Sequence, residues 1–199
     1  MNRLMKIIQG VIMKRLIRYL TRLSLLMVIS CDETNPLDPA WTKFAEGDYP
    51  GAHAEFSSLV ASEGSAAYVG LGWTTIKMDS LPEADTYFTL ASNDSLLEGY
   101  AGWSITAWLM GQHTLCVERS EFVFRNAGGY DAYIFPYDPE ITFHDLLIHE
   151  AYSYYNIQNF FECINTIQRM DPAFTVALND PQLQTKLIAE LQTLMESYN

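Results

Sequence analysis

The chain has 199 residues, with 12 basic against 24 acidic side chains, a net charge of −12 and an aromatic share of 13%. An acid excess of this size excludes a nucleic-acid binder, which needs clustered Lys and Arg to replace phosphate counterions. The length suits one domain, and the aromatic content lets it build a core without disulfide support.

The first 30 residues stand apart. They hold six basic side chains (Arg3, Lys6, Lys14, Arg15, Arg18 and Arg22) and no acid, and residues 23–29 are apolar except for Ser24. A basic region followed by a short apolar run is a secretory signal pattern. The run is far below the roughly 20 residues needed to cross a bilayer.

Val28-Ile29-Ser30-Cys31 closes that run and resembles the lipobox of bacterial lipoproteins. The resemblance implies cleavage before Cys31, a diacylglycerol on its thiol and an acylated amino group. Several acyl chains, at about 0.8 kcal/mol per buried methylene, give stable membrane anchoring. Residues 1–30 are therefore expected to be a lipoprotein signal peptide, 31–36 a tether and 37–199 the folded domain. The alternative is an ordinary cysteine behind a membrane-anchoring segment. Met13 offers a second start with a more typical signal. Six of the twelve basic residues fall in the signal, so the part from Cys31 onward carries six against 24 acids, a net −18. The expected location is the bacterial cell envelope, outside the cytoplasm and held to a membrane by the lipid. Asp32 resembles the inner-membrane retention signal of some enteric bacteria, and the choice between inner and outer membrane stays open.

From residue 44 a 32-residue period sets in. "FAEGDYPGAHAEFSSLV" (44–60), "IKMDSLPEADTYFTLAS" (76–92) and "WLMGQHTLCVERSEFVF" (108–124) align. Ala52 falls on Ala84 and Cys116, Leu59 on Ala91 and Val123, and Gly47 on Asp79 and Gly111. Phe56 falls on Phe88, and Tyr68-x-x-Leu71-Gly72 on Tyr100-x-x-Trp103-Ser104. Each unit reads as two helices joined by a polar turn at Gly47-Asp48, Asp79-Ser80 or Gly111-Gln112. Ala52, Phe56 and Leu59 share one face of the second helix. The small residue permits close approach of the paired helices, and the large one fills the space toward the next unit.

Gly47-Asp48-Tyr49-Pro50-Gly51-Ala52-x-x-x-Phe56 and Tyr68-x-x-Leu71-Gly72 with Ala84-x-x-x-Phe88 resemble the tetratricopeptide repeat (TPR) over residues 37–124, and more weakly over 142–172. The third unit departs: Cys116 stands where the family has Ala, and Ser120 replaces the large aromatic. The terminal proline is missing at Gly64, Leu96 and Gly128, and the period is 32 rather than about 34. The resemblance implies an all-α, antiparallel helix-pair solenoid.

After Phe124 the period breaks. Residues 125–141 hold glycines, prolines and aromatics and read as an irregular loop insertion, with room for a short extended piece. Thr142 and Asp145 form a variant capping box for a helix running to about Tyr155. Gln158-Asn159-Phe160-x-x-Cys163-x-x-x-Ile167 echoes the turn and second helix of the first unit, giving about four helix pairs. Asn179-Asp180-Pro181 opens a last helix. Its stripe of Leu183, Leu187, Leu191, Leu194 and Tyr198 would cap the stack.

Little in the chain asks for chemistry. His144, Asp145, His149 and Glu150 share one predicted helix, and Asp145 and His149 are one turn apart. The two histidines, five apart, point in different directions, unlike H-E-x-x-H. A capped, partly exposed helix start is the competing reading. Cys116 and Cys163 sit at the small-residue position of their units and read as buried thiols, with a bridge the alternative. No motif calls for a metal or other cofactor. The chain is therefore read as a non-catalytic, lipid-anchored TPR-like scaffold for a protein partner with a basic or mixed-charge segment. The alternative is a glycan- or small-ligand-binding lipoprotein that uses the loop aromatics Tyr130, Tyr133, Phe135 and Tyr137. Those rings either contact a ligand or partner, or pin the loop down.

Overall fold

Four turns of one geometry set the architecture. The computed structural model describes residues 35–128, 133–138 and 140–198. Gly47, Asp79, Gly111 and Gln158 have φ of 81°, 60°, 71° and 60°. Each donates its N–H to the carbonyl three residues back: Phe44, Ile76, Trp108 and Tyr155. The following residue donates five back, to Lys43, Thr75, Ala107 and Tyr154. This pair of bonds is the Schellman motif, which ends a helix by satisfying its last carbonyls. The following residues, Asp48, Ser80, Gln112 and Asn159, have ψ of 68°, 69°, 62° and 69° and cap the next helix. Asp48 accepts from Gly51 N and Asn159 from Glu162 N. The chain thus stops, reverses and restarts within two residues, always at the same register.

Among the described residues the α-helices are α1 (Asp38–Ala45), α2 (Tyr49–Glu63), α3 (Ser65–Lys77), α4 (Leu81–Ala91), α5 (Leu97–Leu109), α6 (His113–Asn126), α7 (Phe143–Asn156), α8 (Phe160–Met170) and α9 (Leu183–Tyr198). They form four antiparallel pairs and one closing helix, the architecture that the period implies. Pro50 and Pro82, 32 residues apart, stand in the first turns of α2 and α4, where a missing N–H costs nothing. The first helices stack on one another, α1 on α3, α3 on α5 and α5 on α7, and make one continuous face. Each second helix packs on its own partner and on the next unit's first helix.

The small and large residues interlock as their spacing suggests. Ala52, Ala84, Cys116 and Cys163 are all fully buried. The Phe56 ring lies against Gly70 of the next unit, and the Phe88 ring against Gly72 of its own unit and Gly102 of the next. A methyl group on any of these three glycines would collide with the ring. Ser120 takes the place of the third ring and is itself fully buried.

The insertion does hold an extended piece. Ile134 pairs antiparallel with Thr142. Phe135 N–H donates to Ile141 O at 2.9 Å, and Phe143 N–H to Tyr133 O at 3.0 Å. Thr142 N–H then donates to Asp145 Oδ2 at 2.7 Å, and Thr142 Oγ1 accepts from His144 N, so the capping residues act as expected.

Helix α9 starts at Leu183, two residues beyond Pro181. Asp180 takes the Gln182 N–H on its Oδ1 at 2.7 Å and the Leu183 N–H on its carbonyl. The first turn is therefore a side-chain turn before it becomes α-helical. Leu183, Leu187, Leu191 and Leu194 are buried with Ile148, Ala151, Ile164 and Ile167. Tyr198 remains 40% exposed and stacks on His144 with ring centroids 4.0 Å apart.

Candidate functional site

The first-helix face of units one and two is aromatic. Trp41 and Phe44 come from α1 and Trp73 from α3, all three buried. Contacts within the helices fix them there. Trp41 meets Phe56 at 4.7 Å and Phe44 at 5.5 Å, both edge to face. Trp73 meets Phe88 at 6.1 Å, and its Nε1–H donates to Glu98 O at 2.9 Å.

The inserted hairpin lies across this face. Phe135 is fully buried, stacked on Trp73 at 4.2 Å and edge-on to Trp41 at 5.8 Å and to Phe44 at 6.2 Å. Tyr137 stacks on Trp41 at 3.8 Å, with planes 1° apart. Lys77 Nζ, at the end of α3, lies 2.9 Å from Asp138 Oδ2. Alternate residues of an extended segment point to one side, so Ile134 between the buried Tyr133 and Phe135 is 58% exposed. A turn then follows, closed by Asp138 N–H to Phe135 O at 3.3 Å, and sets the Tyr137 ring 5.7 Å from that of Phe135. Tyr133 is buried and its hydroxyl has no hydrogen-bond partner. Burial, then the nearby Glu98 charge, pushes its pKa upward.

Of the residues singled out from sequence, Phe135 and Tyr137 are thus brought together between Trp41 and Trp73, giving their ring faces to those two indoles, and Tyr133 is buried in the same core cluster. Cys31 and Tyr130 lie outside the described residues, as does segment 1–30, expected from sequence to be a signal peptide.

The four polar residues of α7 diverge. Asp145 caps its own helix, His144 stacks on Tyr198, and His149 stacks on Trp108 at 4.0 Å. Burial alone pushes the His149 pKa down to about 4, and its Nδ1 has no partner. Glu150 turns inward. Among the described residues, no three His, Cys, Asp or Glu side chains converge on a point that could hold a metal. Cys116 and Cys163 are buried free thiols; burial raises both pKa values, Cys163 to about 12.

Two buried polar clusters escaped the sequence reading. Glu150, 1% exposed, has Oε1 within 3.1 Å of Ser120 Oγ, and Oε2 at 3.4 Å from Thr166 Oγ1 and 3.3 Å from an Arg169 nitrogen. Burial dominates these contacts and raises its pKa to about 7. The signal was Ser120 itself: a hydroxyl at the position of Phe56 and Phe88 leaves room for a polar seam. In the second cluster, Arg119 lies 3.7 Å over the Trp103 ring. One of its nitrogens reaches Asp85 Oδ1 at 3.3 Å and Trp103 O at 3.1 Å, and Trp103 Nε1–H donates to Asp85 Oδ1 at 2.7 Å.

No protein-family model matches the chain, and no curated protein matches it. Among solved structures it is similar to one described as "MamA MSR-1 C2", at 12% identity and a TM-score of 0.54, over 81% of this chain and 85% of that one. At this identity the likeness is one of fold, a TPR-like stack of helix pairs.

Proposed function

We propose that the protein is a lipid-anchored, non-catalytic scaffold of the bacterial cell envelope that holds a protein partner on its first-helix face. The observation that carries this reading is the slot between Trp41 and Trp73, which already holds a turn segment by side-chain contacts. Stacked helix pairs present extended surfaces of this kind to their ligands.

The net charge of −18 from Cys31 onward favours a partner with a basic or mixed-charge segment. Exposed charges steer encounter and are screened beyond about 8–10 Å at ordinary ionic strength. Salt should therefore slow association more than it speeds dissociation, with aromatic contacts supplying most of the affinity. The anchor follows from the lipobox resemblance. From Cys31 to Pro36 the chain reaches at most about 18 Å, so a lipid on Cys31 holds the domain close to either membrane of the envelope.

Cross-linking on whole cells should recover the partner, whose association rate is then measured across a salt series. A rate indifferent to salt, or an acidic partner surface, removes the steering role. Radiolabelled fatty acid should enter the wild type and not Cys31→Ala; equal labelling removes the anchor.

A further inference from the structure

We infer that the Trp41–Trp73 slot is a recognition site for a turn-forming partner segment carrying two aromatic residues at i and i+2 followed by an acidic residue, and that the chain's own Phe135-Pro136-Tyr137-Asp138 occupies it as a built-in stand-in. The inference deepens the scaffold reading and rests on it.

Three features support it. First, the walls of the slot are held by contacts that do not involve its occupant. Trp41 is set by Phe44 and Phe56, and Trp73 by Phe88 and by its hydrogen bond to Glu98 O, all contacts within the helix pairs. Second, side chains do the holding. Among the described residues, the backbone hydrogen bonds of the hairpin close within 133–143: Phe135 to Ile141, Asp138 to Phe135, Ile141 to Asp138 and Phe143 to Tyr133. The attachments to α1 and α3 are two stacked rings, the edge contacts of Phe135 with Trp41 and Phe44, and one ion pair. A separate peptide can reproduce all of them. Third, the fit of the resident segment is incomplete. The Tyr133 hydroxyl is enclosed without a partner, and the Lys77–Asp138 pair is at the rim, with side chains 31% and 19% exposed. An unpaired buried hydroxyl works against the closed state, and an ion pair near the surface adds little to it.

The chemistry of the slot defines its partner. The two indole faces are steeply angled to each other, since Tyr137 lies parallel to Trp41 and Phe135 within 22° of Trp73 while Phe135 and Tyr137 are 76° apart. Each face accepts one flat ring and gains from stacked contact. Rings two residues apart and 76° to each other are presented by a β-turn, the conformation of the resident segment, whose Asp138 N–H donates to Phe135 O. Lys77 then selects a carboxylate just beyond the second ring. A helix presents i and i+2 on different faces and would not fit.

The test uses the full chain and a fluorescein-labelled peptide, Tyr-Ile-Phe-Pro-Tyr-Asp-Pro-Glu-Ile-Thr, copied from residues 133–142. Asp138→Lys sets like charges against Lys77 and loosens the hairpin while leaving every slot residue in place. Phe135→Ser with Tyr137→Ser empties the slot. The peptide should bind Asp138→Lys several-fold more tightly than the wild type, and the emptied variant at least tenfold more tightly. A control peptide with both rings changed to Ser should bind none of them. If circular dichroism shows that the emptied variant has lost its helices, Asp138→Lys decides alone. Equal affinity for wild type and Asp138→Lys, or equal binding of the control peptide, overturns the proposal. A wild-type dimer that the peptide dissociates would assign the slot to the hairpin of a second copy, and would also overturn it. None of these failures touches the cross-linking result, which tests the scaffold reading separately.

Discussion

Gly111 and Gln158, 47 residues apart, occupy the same left-handed turn with the same pair of closing hydrogen bonds. Glycine reaches that conformation without strain, whereas a residue with a Cβ carries a cost of about 1–2 kcal/mol. The fold imposes the conformation on Asp79 and Gln158 because α3 and α7 must reverse there.

Gln158→Gly and Asp79→Gly should therefore stabilise the protein, each by up to about 1 kcal/mol after the entropy of an added glycine is subtracted. Gly47→Ala and Gly111→Ala should destabilise by a similar amount. Urea denaturation of the four variants measures this. Stabilisation by Gly47→Ala would mean that the turn relaxes to another geometry.

The turns show what the sequence makes legible. Gly47, Asp79, Gly111 and Gln158 recur at one place in each unit, and the fully buried Ala52, Ala84, Cys116 and Cys163 recur at another. Both signals are local, and a repeat multiplies them. The destination of the hairpin has no such signal. Asp138 meets Lys77 61 residues away, and the composition of the loop suits equally a ring that packs inward and one that waits for a ligand. Glu150 was hidden for a related reason. Its neighbours on α7 suggested a polar helix start, and only the packing of α6 and α8 around that helix shows which acid turns inward.

Gly102→Ala should weaken the contact between units two and three. The added methyl would strike the Phe88 ring and crowd Trp73, both buried. Overpacking of this kind costs about 1–3 kcal/mol, against a gain of about 1 kcal/mol in helix propensity, so a net loss is expected. Ala84→Trp, at a fully buried contact, should cost more. Thermal melts of the two variants test the order, and tolerance of Ala84→Trp would take Ala84 off the helix–helix contact.

Glu150 should make stability depend on pH between its ordinary value of 4.5 and its folded value of about 7. In that window the folded protein keeps a proton that the unfolded chain releases. The group's contribution is thus most favourable below about pH 4.5, falls as pH rises through the window, and is constant and unfavourable above about pH 7. Arg169 and the hydroxyls of Ser120 and Thr166 oppose the shift, while Glu121 adds to it. The full span is roughly 2–4 kcal/mol. Glu150→Gln, uncharged at every pH and still able to bond Ser120, should flatten the profile there. A variant that keeps the wild-type slope would assign the dependence to another group.

Arg119 offers the sharpest comparison between charge and packing. Its guanidinium is buried, yet its partner Asp85 has a side chain 32% exposed. Burial lowers the Arg119 pKa, and the Asp85 charge opposes that shift. Water can reach Asp85 when the cation is removed, so the loss of the ion pair alone should cost about 1 kcal/mol or less. The stack over Trp103 at 3.7 Å is different. It is desolvated, it is worth up to about 2 kcal/mol as a cation–π contact, and it also covers the indole with the arginine stem. Arg119→Ala should therefore cost about 2–4 kcal/mol and Asp85→Asn about 1 or less. Arg119→Met, which keeps the stem and drops the charge, should fall between them. Urea denaturation of the three variants sets the order. If Asp85→Asn proves as costly as Arg119→Ala, the ion pair and not the stack locks α4, α5 and α6 together.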